Sequence, residues 1–200
     1  MQSSYYPMPE YVTAQMKSWL NPGWEYYHFT NDSMIEYFEA NPINWCPNII
    51  DQFWAIQAGP HRADLFRYYW LYQNGGMYLD SDIMLKVMID RITQDHTFIS
   101  VRSVIRNTFL NGVLAATPGH PIIEAALRDA VTVDPRHLEE DYSHFCRNLA
   151  YFIRDNGWGK DTGIRLYRER EHSHGVWETY DDDGTGLLLH YQLTKIIPKL

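Results

Sequence analysis

Two pairs of charged residues stand at spacings that could support chemistry. Asp64 and Arg67 lie three residues apart in a stretch that predicts a helix, so both project from one face of it. Taken alone, this pair also fits an ordinary surface salt bridge, which contributes little to stability. Asp80 and Asp82 stand two residues apart directly after the apolar run 77–79, and alternate residues of a strand point to the same side.

The second pair indicates a metal. The Asp80 and Asp82 carboxylates repel each other unless a cation lies between them or one of them takes a proton. Carboxylate oxygens suit Mg²⁺ or Mn²⁺, and such ions usually keep positions open for phosphate oxygens. In open α/β sheets, ligands bind where strands end. The spacing therefore predicts a divalent ion with a phosphate-bearing ligand, although an acidic turn that caps the next segment also fits an isolated Asp-x-Asp pattern.

A helix and a strand must position these side chains. Residues 61–73 predict a helix that stops at Asn74-Gly75-Gly76, because glycine accepts the left-handed dihedrals of a helix terminus. Residues 77–79 predict a short buried strand that leads straight into Asp80. Strand and helix patterns alternate along the chain, which predicts an α/β fold.

The other predicted elements are of ordinary length. We expect helices over residues 11–20, 31–39, 121–131 and 137–156, and strands over 24–29, 97–101, 108–116 and 187–189. Residues 40–60 hold three prolines and little periodicity, so they predict mostly loop.

Composition excludes several classes of protein. The chain has 200 residues, 45% of them hydrophobic, which predicts one folded domain over 1–200, either alone or as the catalytic domain of a longer chain. Its formal charge of −8 argues against a nucleic-acid partner. No stretch approaches the ~20 apolar residues that span a bilayer, so we expect no membrane span. Cys46 and Cys146 alone exclude a disulfide scaffold and predict free thiols in a reducing compartment, the cytoplasm.

The combined string is specific where each pair alone is not. It runs RADLFRYYWLYQNGGMYLDSD over residues 62–82. This string resembles the sugar-binding, Asp-x-Asp-containing region of glycosyltransferase family 32, which includes yeast initiating mannosyltransferases, bacterial capsule enzymes and enzymes of large DNA viruses, and which is related to the clostridial glucosylating toxins. The resemblance extends more loosely over residues 9–165.

The resemblance implies a GT-A fold, with a mixed, mainly parallel central sheet flanked by helices. It implies an enzyme that moves a hexose from a nucleotide sugar to a hydroxyl of a glycan or glycoprotein, with retention of anomeric configuration. A UDP-hexose is the favoured donor and GDP-mannose is the alternative. The implied cofactor is Mn²⁺ or Mg²⁺, and we expect a monomer.

The resemblance also implies a role for each matched residue. Asp64 and Arg67 would hydrogen-bond the hydroxyls of the donor sugar, with Arg67 reaching toward phosphate. Tyr78 would face the nucleotide, and Asp80 would contact ribose or sugar hydroxyls and touch the metal through water. Asp82 would ligate the metal directly. We expect Arg67, Asp80 and Asp82 to carry catalysis.

Three further positions complete the expected site or leave alternatives open. Asn111 would line the acceptor side of the donor sugar. His190 is a candidate third metal ligand, against the alternative of an ordinary histidine at a strand end. The family normally opens with a strand that would have ended at about the point where this sequence starts, and residues 195–200, KIIPKL, resemble that strand. This tail fills that position, or it borders a following domain, or the match is a coincidence.

Two other function classes use the same residues. A domain that kept the fold but lost turnover would bind a nucleotide sugar or a carbohydrate without transferring it. A metal-dependent phosphohydrolase would apply the same carboxylates to a phosphate ester.

Overall fold

The structure, a computed structural model, describes residues 1–4, 6–156 and 163–191 and shows a mixed α/β fold. The helices are α1 (Glu10–Ser18), α2 (Asn31–Ala40), α3 (Ile49–Ala55), α4 (Gly59–Asn74), α5 (Ile89–Thr93), α6 (Pro121–Thr132), α7 (Pro135–Glu140) and α8 (His144–Asp155). The strands are β1 (Gln2–Ser3), β2 (His28–Phe29), β3 (Gly76–Leu79), β4 (Ile83–Leu85), β5 (Phe98–Arg102), β6 (Phe109–Ala116), β7 (Ile164–Ser173), β8 (Val176–Tyr180) and β9 (Gly186–Tyr191).

Seven strands form one mixed sheet in the order β3-β6-β5-β7-β8-β9-β4. Within these described strands, β5 and β7 pair in parallel and every other neighbouring pair is antiparallel. The prediction of a mainly parallel sheet is therefore wrong. The physical reason is that hairpins, which can join only antiparallel strands, connect β5 to β6 and β7 through β8 to β9.

Parallel pairing is found at the start of the chain. β1 pairs with β2 in parallel, and the Met1 backbone continues this pairing onto β3. The Met1 nitrogen donates to Met77 O at 2.6 Å, and the Leu79 amide donates to Met1 O at 3.0 Å. β1 therefore occupies the position beside β2 that the sequence resemblance considered for residues 195–200, and those residues lie outside the described ranges.

The two end strands of the sheet, β3 and β4, are joined by residues 80–82, which we call the seam. Because strands at opposite ends of the order are connected by three residues, the sheet curls until its edges nearly meet. The Asp80 amide donates to Gly112 O on β6 at 2.8 Å, and the Tyr191 amide on β9 donates to Asp82 O at 3.0 Å. The Asp-x-Asp pair therefore lies directly after the end of β3, as predicted, in the connection to β4.

Helix α4 links the core to the seam. It covers the predicted range 61–73, and its buried positions include the charged pair Asp64 and Arg67. The helix stops at Gly75, as predicted, where φ is 67° and ψ is −154°. Side chains other than glycine rarely adopt these dihedrals.

Two predicted segments differ from the structure. Residues 40–60, predicted as loop, contain α3 and the start of α4, because Ile49 and Phe53 recur at helical spacing and are buried. The predicted helix 137–156 is broken into α7 and α8. At the break, the Asp141 side chain accepts a hydrogen bond from the Ser143 amide at 3.2 Å, which competes with helical pairing.

Two other predictions concern thiols and membrane spans. Cys46 and Cys146 are free thiols, as predicted. No helix in the described ranges is both long enough and apolar enough to cross a membrane.

Candidate functional site

A cleft of about 780 Å³ opens where α4, the seam, β6 and β9 meet. All the residues that the sequence singled out line it, namely Asp64, Arg67, Tyr78, Asp80, Asp82, Asn111 and His190. The structure therefore brings together side chains from positions 64 to 190. Strands β6 and β9, which are distant in sequence from α4 and the seam, line the same cleft.

Arg67 lies at the centre of this cleft. Its side chain is 3% exposed, and it pairs with two carboxylates, through Nη1 to Asp64 Oδ1 at 3.2 Å and through Nη2 to Asp80 Oδ1 at 3.0 Å. Nη2 also donates to the Tyr78 hydroxyl at 3.2 Å. Burial alone would lower the pKa of Arg67, but Tyr78, Asp80 and Asp64 raise it, so the guanidinium stays charged. The burial excludes the alternative of a surface salt bridge.

Asp64 is held from three directions. Besides Arg67, its carboxylate accepts a hydrogen bond from Asn111 Nδ2 at 3.2 Å and faces His61 Nδ1 at 3.1 Å. Asn111 is fixed in turn by the Tyr68 hydroxyl, which donates to its Oδ1 at 2.9 Å. His61 is not among the predicted site residues, although it lies three residues before Asp64 on the same helix face, a spacing that marks neighbours on a helix.

Asp80 is positioned by β1, β3 and β6. The Tyr78 hydroxyl donates to Asp80 Oδ1 at 2.9 Å and lies 3.0 Å from the Ser3 hydroxyl. The other side of the carboxylate packs against Gly112, where an added Cβ would lie 3.0 Å from Asp80 Cγ. Tyr78 is itself buried, with the Arg67 guanidinium carbon 4.1 Å from its ring centroid. The polar contacts of Tyr78 are therefore with Ser3, Asp80 and Arg67.

Asp82 and His190 face each other, with Nε2 of the histidine 3.4 Å from Asp82 Oδ2. Burial would lower the pKa of His190, but the hydrogen bond and charge of Asp82, together with the Asp80 charge, raise it. Burial raises the pKa of Asp80, Arg67 opposes this shift, and the Asp82 charge adds to it. Two neighbouring carboxylates beside a histidine are a donor set that fits a divalent cation.

The seam does not form a compact three-ligand cage by itself. Over the residues that the structure describes, three metal-ligating atoms come within 4.8 Å of one another at His137, Asp141 and His144, which lie elsewhere. The set at the seam fits a cation that completes its coordination with phosphate oxygens, which is the usual manner of Mg²⁺. Asp82 and His190 are the residues best placed to hold it, because their polar atoms face each other, whereas Asp80 Oδ1 accepts hydrogen bonds from both Arg67 and Tyr78 and Oδ2 packs against Gly112.

One wall of the cleft is formed by residues that were not predicted to lie there. These are His61, Tyr142 and Cys146. The His61 and Tyr142 ring centroids are 5.2 Å apart, and His61 Nε2 is buried without a hydrogen-bond partner. Burial raises the pKa of Cys146 to about 11, so its thiol stays protonated at neutral pH and is a poor nucleophile. No sequence signal marks Tyr142 or Cys146, since both lie more than one element away from the motif.

The sequence is similar to known glycosyltransferases. Residues 9–99 match the model of a glycosyltransferase sugar-binding region containing the DXD motif. The chain is 32% identical over 124 residues to inositol phosphoceramide mannosyltransferase 3 of Schizosaccharomyces pombe, a match over 61% of this chain and 33% of the relative. It is 29% identical over 116 residues to inositol phosphoceramide mannosyltransferase 1 of the same organism, over 58% of this chain and 35% of the relative.

These matches cover only part of each protein. The chain spans about a third of the length of the curated relatives it matches. The family match includes α4 and the seam, whereas Asn111, Gly112 and His190 lie beyond it. The resemblance first seen in residues 62–82 is confirmed, because those residues lie within the matched sugar-binding region, and the chain is similar to family 32-like glycosyltransferases.

Proposed function

We propose that this chain transfers a hexose from a nucleotide sugar to an acceptor hydroxyl with the help of a divalent cation. The observation that carries this proposal is the ion-pair network in which one buried Arg67 joins Asp64 on α4 to Asp80 at the seam. It aligns hydrogen-bonding groups for a sugar beside Asp82 and His190, which suit a cation for a diphosphate. We further propose that the fold is of the GT-A type. The parallel pairing of β1 with β2 and the backbone bonds of Met1 to β3 support this, because β3 leads directly into the metal motif.

The donor sugar is bound, in this proposal, by Asp64 and Asn111. Their mutual hydrogen bond and the Tyr68 contact hold both side chains in place, while the carboxylate has further lone pairs for sugar hydroxyls. Arg67 acts mainly as a positioning residue, because its Nε donates to Ala63 O at 3.2 Å and both terminal nitrogens are occupied. The direct phosphate contact implied by the family resemblance then falls to the cation.

The cation would be held by Asp82 and His190, with Asp80 in support. The nitrogen ligand favours Mn²⁺ over Mg²⁺, since imidazole is a softer ligand than carboxylate. A bound ion would supply Lewis-acid stabilisation of the charge that grows on the leaving diphosphate. In this proposal, Asp80, Asp82 and His190 orient that diphosphate at the end of β3.

We propose that transfer retains the anomeric configuration by a front-face path. The bond from the anomeric carbon to the diphosphate oxygen breaks, a bond to the acceptor oxygen forms, and the acceptor proton passes to the leaving phosphate. The contacts of the cleft support this path over a covalent intermediate, because Asp64 and Asp80 are ion-paired with Arg67 and the Cys146 thiol is protonated. The product anomer can be identified by NMR, and an inverted anomer would contradict this proposal.

The names of the relatives narrow the choice of donor sugar. Both are named mannosyltransferases, which favours GDP-mannose over the UDP-hexose that the string alone suggests. Their names also specify an inositol phosphoceramide acceptor, so a glycolipid hydroxyl joins glycan and glycoprotein hydroxyls as candidate acceptors.

A donor panel with Mn²⁺ tests the proposal. We expect GDP-mannose or a UDP-hexose to raise the melting temperature in a Mn²⁺-dependent way and to be hydrolysed slowly without acceptor. Asp82→Ala should abolish both effects, because the main carboxylate ligand is lost. Asp155→Ala, which removes a 68% exposed carboxylate on α8, is the matched control and should keep both effects.

The other outcomes of this panel decide between function classes. Unchanged Mn²⁺-dependent donor binding in Asp82→Ala would contradict the site. Stabilisation by the donor without any nucleotide release, even with acceptors, would indicate a binding domain. Cleavage of simple phosphate esters regardless of the sugar would indicate a phosphohydrolase.

A further inference from the structure

We propose a second metal site, separate from the cleft, at the junction of α7 and α8. Its ligands are His137, Asp141 and His144, and its ion is a transition metal such as Zn²⁺. One ligand atom from each residue lies within 4.8 Å of the others. Two imidazoles and one carboxylate form a ligand set that suits Zn²⁺ better than the oxygen-preferring Mg²⁺ or Ca²⁺.

The break between the two helices creates this cluster. His137 lies in the last turn of α7, Asp141 is the C-cap of that helix, and His144 begins α8. The bond from the Ser143 amide to Asp141 turns the chain between the ligands. As a result the His137 and His144 rings lie 5.3 Å apart at 88°. Because His137 is exposed, its side chain is free to make the rotation that closes the ligand set on an ion.

A second carboxylate already orients one of the histidines. His144 Nε2 lies 3.1 Å from Asp129 Oδ2 on α6 and 3.0 Å from Asn148 Nδ2. Metal-bound histidines commonly present their other ring nitrogen to a carboxylate, which fixes the orientation of the ring. With Nε2 turned toward Asp129, Nδ1 of His144 is the nitrogen that remains for a metal.

Arg147 influences which ion the cluster would take. Both of its terminal nitrogens donate to the Asp141 carboxylate. This contact leaves room for a metal, since an ionised carboxylate offers about four lone-pair positions. The nearby positive charge disfavours a hard cation that depends on carboxylate charge. It therefore favours an ion bound chiefly through imidazole nitrogen.

An ion at this junction would brace one wall of the cleft. Tyr142 stands between two of the ligands in sequence, and its ring packs 5.2 Å from the ring of His61. It lines the cleft although its side chain is largely exposed. Binding of Zn²⁺ on both sides of Tyr142 would restrict the connection that carries this ring. The proposed role is therefore structural support, independent of the ion at the seam.

Metal titration of the chelator-treated protein tests the site. We expect Zn²⁺ to raise the melting temperature by roughly 5–10 °C at a hundredfold excess over its Kd. Co²⁺ should give visible absorption bands typical of mixed nitrogen and oxygen ligands. His137→Ala should remove both signals while leaving the metal-free melting temperature nearly unchanged, because that side chain is exposed. His172→Ala, which removes a 48% exposed histidine on β7, is the matched control.

Two further variants make the result decisive. His144→Gln should also remove the Co²⁺ bands, and Asp82→Ala should retain them, because it alters only the seam. Absence of a Zn²⁺ response in the unaltered protein would overturn the proposal. So would an unchanged response in both histidine variants, or a response lost in Asp82→Ala alone, which would assign the ion to the seam.

Discussion

At the residue scale, Gly112 shapes the cleft because it has no side chain. It lies on β6 against the seam, and its carbonyl accepts the Asp80 amide. An added Cβ would lie 3.0 Å from Asp80 Cγ and 3.3 Å from Ile83 Cδ1, so a neighbour must move. Ile83 is fully buried, which leaves the carboxylate as the group that is displaced. Such a shift would pull Asp80 away from Arg67 and Tyr78.

We therefore expect Gly112→Ala to impair donor transfer far more than stability. A displacement of about 1 Å in a positioning group can reduce a rate roughly 100-fold. The added methyl group should lower the free energy of unfolding by only about 1–3 kcal/mol. Transfer rates, Mn²⁺-dependent donor affinity and urea denaturation of the same variant check this. Full donor affinity in Gly112→Ala would show that Asp80 is not held by this contact.

At the scale of elements, Gly75 sets the angle between α4 and β3. Its backbone dihedrals are accessible essentially to glycine alone. A Cβ at this position would also lie 2.7 Å from Pro118 Cδ and 2.8 Å from Ala116 O. The second of these atoms belongs to the backbone of β6 and cannot simply rotate away. The helix that carries Arg67 and the strand that carries Tyr78 therefore meet at a position that admits no side chain.

Gly75→Ala should lower the free energy of unfolding by at least about 1–3 kcal/mol, the usual size of such backbone strain. Gly59→Ala is the matched control, because an added Cβ at the start of α4 would have no heavy atom within 4 Å. That control should be neutral or stabilising by up to about 1 kcal/mol. Urea denaturation midpoints of the two variants compare them directly. Equal midpoints would contradict the assignment of strain to Gly75.

Local signals predicted α4, its stop and β3 well. The helix pattern, the glycine pair and the apolar run that precedes Asp80 all depend on neighbouring residues. The string 62–82 also predicted which side chains of α4 and the seam would meet. Asn111 was placed in the site by resemblance, His190 was a candidate metal ligand against the alternative of an ordinary histidine at a strand end, and the structure puts both along the cleft.

The missed features depend on residues that are distant in sequence. β7 is rich in charged residues and mostly exposed along its second half, so no apolar pattern marks it as a strand. The pairing of β4 with β9 and the closure of the sheet cannot be seen from either segment alone. Cys146 and Tyr142 reach the cleft only because α8 packs beside α4 and β6. Tertiary packing, and not local preference, decides these positions.

At the scale of the whole molecule, Glu178 on β8 forms ion pairs that connect distant segments of the curled sheet. Its carboxylate pairs with Lys86, just beyond β4, at 2.5 Å and with Arg170 on β7 at 2.6 Å. Its side chain is 4% exposed. Burial would raise the pKa of Glu178, but hydrogen bonds and charges from Lys86 and Arg170 lower it below its usual value. The ionised form therefore stabilises the folded sheet.

In Glu178→Gln, the free energy of unfolding should depend less on acidic pH than in the unaltered protein. Because the folded pKa is lowered, the stabilisation by the carboxylate is present above the unfolded value of 4.5 and is lost as pH falls below it. We expect the variant to be less stable by about 1–3 kcal/mol at pH 7, since both partners are partly exposed to solvent. The difference should shrink toward pH 3. Denaturation at several pH values measures it, and a constant difference would exclude this role.

The seam also determines when the cleft can form. Ile83 on β4 pairs with His190 on β9, about a hundred residues later in the chain, and contacts between such distant segments form slowly. At ordinary rates of synthesis, roughly 5–20 s separate the emergence of these two strands from the ribosome. During that interval the half-site of Asp64, Arg67 and Asp80 is already present, without its histidine. Donor binding would then report that this sheet has closed, because β9 is the last of its described strands to emerge.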